Sequence, residues 1–143
     1  MEGKNVVETR QRVEDLFAPL GDAAGNQIFI AAGGTMDIPA QPSVLGPGPA
    51  ALGREIDGYD VVSFYGLSDQ PFTIGIYEAV ECEGPYVLAQ TLTSAVVGGF
   101  SRVSVRIPSN AKFMRIVVTN TGGAPQTVFS FRGFGIPIAT AGA

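Results

Sequence analysis

The residues able to do chemistry are few. The string EAVECEGPY (78–86) sets Glu78, Glu81 and Glu83 around Cys82. Three carboxylates this close can ligate Ca²⁺ through oxygen, but the spacing lacks the regular loop and central glycine of an EF-hand. The same string reads equally as a solvated acidic turn. In a strand, Glu81 and Glu83 would share a face and repel each other. Cys82 would need a lowered pKa to act as a nucleophile, and flanking anions push a thiol the other way. It reads as a structural thiol. Asp57-Gly58-Tyr59-Asp60 reads as turn chemistry. No two carboxylates stand out as the facing pair that glycoside hydrolysis requires. The chain has no His, which removes imidazole triads and His-ligated zinc. A lone Cys forms neither an intrachain disulfide nor a thiolate cluster. The glycine-rich stretches match no phosphate-cradling pattern. Phe-Arg-Gly-Phe-Gly (131–135) comes at a strand end with no helix to follow. The expectation is a protein that is not an enzyme, with no catalytic residue, no cofactor and no metal.

The elements that carry these residues are strands. The chain has 143 residues, 45% hydrophobic and 15% charged, with 19 Gly and 10 Pro. That is one domain with a real core and many turns, and it is too apolar to be disordered. Aromatic and β-branched runs separated by turn signals predict strands at 60–66, 72–79, 86–93, 101–107, 112–119 and 126–134, preceded by Gln27–Ala32. Val103, Val105 and Ile107 share one face, with Arg102, Ser104 and Arg106 on the other. Phe129 and Phe131 alternate likewise with Ser130 and Arg132. Such alternation predicts two antiparallel sheets packed on their apolar faces.

Two segments stand apart from this body. Residues 1–25 are the most charged stretch and read as an N-terminal arm, either helical (Asn5 and Glu8 have capping-box spacing) or extended. Residues 36–55 hold four Pro and three Gly together with Ile38, Val44, Leu45 and Leu52, and read as a long Pro/Gly-rich loop within a sandwich domain spanning 26–143. The loop either folds over its own sandwich or docks on a neighbouring subunit. The N-terminus has no apolar signal-peptide core, and no run approaches the roughly 20 apolar residues of a membrane helix, so no membrane partner is expected.

Charge is unevenly distributed along the chain. All thirteen acidic residues and four basic ones precede residue 84; five basic residues and no acidic one follow it. The two halves either interleave their charges on folding or leave a bipolar surface that favours association of copies. Five dispersed cations in a chain of net charge −4 are not a nucleic-acid footprint. Arg102, Arg106 and Arg132 fall on polar strand faces, either as ordinary solvated positions or as partners for acidic residues of an adjacent molecule.

The strings KFMRIVVTNTGGAPQTVFSFRGFGIP (112–137) and DVVSFYGLSDQPFTIGIYEA (60–79) resemble paired strands in the jelly-roll domains of tailed-bacteriophage structural proteins. The first is similar to their Asn-Thr-Gly-Gly hairpin, the second to their hairpin with a Ser-Asp turn. Within that group the chain looks most like the head decoration, or cement, proteins. The resemblance implies an all-β, antiparallel jelly-roll-like β-sandwich with an N-terminal arm. It also implies a non-enzymatic virion protein, made in the host cytoplasm and carried on the capsid exterior. Its expected partners are the major capsid protein and copies of itself, as a homotrimer. The expected interface residues are Val6, Val7, Val13, Phe17, Ile38, Val44, Leu45 and Leu52, with Arg102, Arg106 and Arg132. The arms are expected to stabilise the assembled head through their contacts, so deletion of residues 1–20 is expected to abolish capsid binding while leaving a folded sandwich. The alternative is a carbohydrate- or receptor-binding jelly roll of a tail or fibre, using Tyr59, Tyr65, Tyr77 and Tyr86 as platforms.

Overall fold

The computed structural model describes residues 14–17, 29–38 and 53–137. Among the described residues ten strands follow one another: β1 (Glu14–Phe17), β2 (Thr35–Ile38), β3 (Arg54–Glu55), β4 (Tyr59–Ser68), β5 (Phe72–Ala79), β6 (Val87–Thr93), β7 (Ala95–Val97), β8 (Phe100–Pro108), β9 (Phe113–Asn120) and β10 (Phe129–Pro137). One sheet has the order β1-β10-β4-β8-β7; the other has β2-β9-β5-β6, with β3 also on β9. All pairs are antiparallel. The pairings nest: β1 with β10, β2 with β9, β4 with β8, β5 with β6. A long hairpin rolled over itself into two sheets has this order, so the fold is a jelly-roll-like β-sandwich.

Alternation sets which face is buried. In β4, Val62, Phe64, Gly66 and Ser68 point inward, and Ser63, Tyr65 and Leu67 do not. In β9, Met114, Ile116 and Val118 are buried between less buried neighbours. Inward residues of both sheets form one core. A chain of aromatic rings runs through it: Phe17 to Phe64 (5.8 Å), Phe64 to Phe131 (6.1 Å), Phe131 to Phe129 (6.2 Å) and Phe129 to Phe72 (6.3 Å). Each such contact adds about 0.5–1.5 kcal/mol beyond area burial. The last one joins the two sheets.

Phe131-Arg-Gly-Phe-Gly135 lies inside β10, not at a strand end. A Cβ on Gly133 would stand 2.9 Å from both Phe17 and Phe64. One on Gly135 would meet Leu16 and Tyr59 at 2.7 Å or less. The two glycines are openings through which β1 packs its side chains into the core.

Several expectations change accordingly. Phe17 and Ile38, expected at an interface, are buried in this chain's own core. Glu14–Phe17, expected within the arm, is a strand of the sheet. Deleting residues 1–20 therefore removes Leu16 and Phe17 from the core, so an arm deletion has to stop at residue 13. Gln27–Ala32 was expected as a strand. Gln27 and Ile28 lie outside the described residues, and Phe29–Ala31 is not a strand because both backbone groups of Ile30 bond to the β9–β10 loop. The strand comes one turn later, as β2. Two ends of the 36–55 loop are also strands. Ile38 pairs with Ile116, and Arg54 pairs with Met114, so the chain leaves and rejoins β9 at positions two residues apart. Residues 39–52 lie outside the described residues.

Candidate functional site

The buried Asn120 and Gln126 and the solvent-accessible Asp69 are braces. Asn120 is fully buried; its amide donates to the carbonyls of Ile30 and Ala124, both at 3.0 Å, and its oxygen accepts from Gly122 N–H at 2.8 Å. The Gln126 side chain accepts from Ile30 N–H at 3.0 Å and donates to Ser68 Oγ at 3.1 Å. Asp69 accepts from Thr127 N–H (2.9 Å), Val128 N–H (3.1 Å) and Thr127 Oγ1 (2.7 Å). The side-chain bond from Thr127, then the two backbone bonds, hold the Asp69 carboxyl down at about 2. The Ser-Asp turn and the Asn-Thr-Gly-Gly turn thus lock together. β10 begins at Phe129 because Gln126, Thr127 and Val128 are engaged in that lock.

The acidic string also has a structural setting. Val80–Glu83 form the β5–β6 turn. Tyr86 spans it, donating its hydroxyl to Cys82 C=O at 2.6 Å and accepting from Gly53 N–H at 2.8 Å. Burial pushes the Tyr86 phenol up. Among the described residues no group of three His, Cys, Asp or Glu side chains is placed to hold a metal ion. On the outer face of the second sheet, Arg115 donates to Asp37 at 3.0 Å and lies 5.3 Å from the Tyr77 ring. This ties β2, β9 and β5 together. Tyr77 is covered and Tyr59 packs against the core, so two of the four expected tyrosine platforms are engaged. Tyr86 is a third, through both of its hydroxyl bonds.

Of the expected interface residues, Val6, Val7, Val13, Val44, Leu45 and Leu52 lie outside the described residues. Arg102 and Arg106 on β8 and Arg132 on β10 are exposed on the outer face of the first sheet. Tyr65 of β4, 41% exposed, stands between the two strands.

A second surface adjoins this one, and the sequence reading missed it. β6 and β7 end the two sheets on the same side, separated by Ser94 alone. Nearly every residue of both is exposed, including Val87 (64%), Leu88 (50%), Val96 (77%) and Val97. Phe100, where β8 begins, is exposed beside them. Of β6, Leu92 reaches the core. Edge strands normally carry charge, Pro or a covering element against pairing with other chains. β6 and β7 carry neither charge nor Pro, and residues 84–101 hold no charged side chain at all. Among the described residues, a bulge at Tyr77–Leu88 is the guarding device on β6. Gly98 and Gly99, both at positive φ, turn β7 tightly into β8 and project this edge. The signal in sequence was the charge-free run itself, which strand alternation had hidden.

No family model, no curated protein and no solved structure matches the chain.

Proposed function

We propose that this protein is a virion structural protein of the capsid decoration kind, which associates with copies of itself as a homotrimer and binds an assembled shell. The observation that carries the reading is the β6–β7 face: charge-free, exposing Val87, Leu88, Val96 and Val97 along two sheet edges. Fully burying a Val, Leu or Phe side chain is worth about 1.5–3 kcal/mol, so several together favour association strongly. Binding that prefers the assembled shell stabilises it by linkage, without any chemical step. The residues with chemical potential support the same reading, since Asn120, Gln126, Asp69 and Tyr86 each bond to a loop of their own chain.

The test is co-sedimentation with particles from the native source. A copy number near that of the major shell protein is expected. A few copies per particle would instead indicate a tail or collar role, and absence from particles would overturn the reading. A chain lacking residues 1–13 keeps β1 and asks separately whether the arm contributes to shell binding. The sugar-binding alternative is left with Tyr65 as its exposed tyrosine platform.

A further inference from the structure

Three arginines of the C-terminal half, Arg102, Arg106 and Arg132, lie on surface that is continuous with the β6–β7 edge. Arg102 pairs with Ala95 of β7 on one side and with Leu67 of β4 on the other. Tyr65 pairs with Ser104 of β8 and with Arg132 of β10. Arg106 lies four residues along β8 from Arg102, about 13 Å at strand rise. None of the three arginines forms an ion pair among the described residues. The result is an exposed tyrosine with Arg132 opposite it on β10 and Arg102 and Arg106 two residues to either side of its partner on β8, bordered by the β7 edge.

The opposite charge gathers at one end of the sandwich. The β3–β4, β5–β6 and β8–β9 turns meet there around an open depression of about 430 Å³. Asp57, Asp60, Glu81 and Glu83 are exposed at this end. Lys112, which lines the depression, is 4.0 Å from Glu55.

A contact in which the same patch met itself would set arginines against arginines, and like charges in apposition cost several kcal/mol. Docking against the acidic end replaces that repulsion with attraction. We propose that the Arg102–Tyr65–Arg132 face, with the adjoining β7 edge, docks on the Asp57/Asp60/Glu81/Glu83 end of a second copy of this chain. The contact is head-to-tail and rests on the self-association proposed above. Head-to-tail contacts close into rings when the rotation allows, and a trimer is such a ring.

Sedimentation velocity of the full chain tests this at about 0.05 M and about 1 M NaCl, where the screening length falls to about 3 Å. The wild type is expected to associate at low salt and to weaken on the order of tenfold at high salt. Arg102→Glu with Arg106→Glu, both at exposed strand positions, is expected to weaken low-salt association on the order of tenfold or more. Glu81→Arg with Glu83→Arg does the same. The chain carrying all four substitutions is expected to recover. Circular dichroism checks each fold, and Arg102→Ala with Arg106→Ala gives a milder variant that should lose the salt dependence. A wild type that stays monomeric overturns the homotrimer and this contact together. Association that ignores salt and the arginine reversals overturns this contact alone. Loss with the arginine reversals but no recovery in the four-fold variant overturns the acidic end as the docking site.

Discussion

The sandwich has two pairs of edge strands, and they are built to opposite rules. On one side, β1 and β2 are four residues each, yet Leu16, Phe17 and Ile38 are buried as deeply as any central residue. On the other side, β6 and β7 show Val87, Leu88, Val96 and Val97 to solvent. Position in the sheet is the same; what differs is what lies beneath. Under β1, Gly133 and Gly135 leave room for Phe17 and Leu16 to reach the core. Under β6, Leu92 alone of its residues joins the core, and among the described residues none covers the remaining apolar side chains. An edge closed by its own core contributes to folding, whereas an uncovered apolar edge is available to another molecule.

Substitution should divide the molecule along that line. Phe17→Ala, on a four-residue edge strand, should cost about 3–5 kcal/mol, while Val96→Ala should stay within about 0.5 kcal/mol. Urea unfolding of both measures the contrast, and equal costs would dissolve it. Gly133→Ala should cost about 1–3 kcal/mol, because a Cβ there presses on two aromatic rings that cannot swing aside. In thermal unfolding, Phe17→Ala combined with Gly133→Ala should be less destabilised than the sum of the two, because the first vacates the space that the second fills. Gln126→Ala should cost about 1–3 kcal/mol by leaving Ile30 N–H without its acceptor, and should speed amide exchange at Ile30.

The smallest expected effect is at Asp69, which is accessible to solvent. Its carboxyl is lowered from 3.8 to about 2, so its contribution is present above about pH 4 and is lost as pH falls through about 2. Asp69→Asn should lower the Tm at neutral pH, and the gap to wild type should close between about pH 4 and pH 2. A gap that persists at pH 2 would mean that the loop depends on Asp69 for something other than its charge.

How much was legible differs by region. The long strands from β4 to β10 were readable because period-two alternation follows directly from one face being buried. β7 escaped because three residues carry no period. β2 was hidden within a proline-rich stretch, and its pairing depends on β9, some eighty residues later in the chain. The arginines were readable as a set of basic positions, but their gathering around Tyr65 depends on strand order. The open edge was present in sequence as residues 84–101 without charge, and nothing local distinguishes such a run from a buried strand.

By itself, then, the order of residues determined the all-β class, the alternating faces and the lack of an imidazole or paired thiols for chemistry. Those are properties of residue type and local period, and the backbone reads them within a few residues. The tertiary structure decided which edges are closed, which glycines serve as openings, and which charged positions share a surface. Each of these depends on strands far apart in sequence becoming neighbours. Only the completed sandwich shows that Phe17 has a place in the core and that Val96 does not.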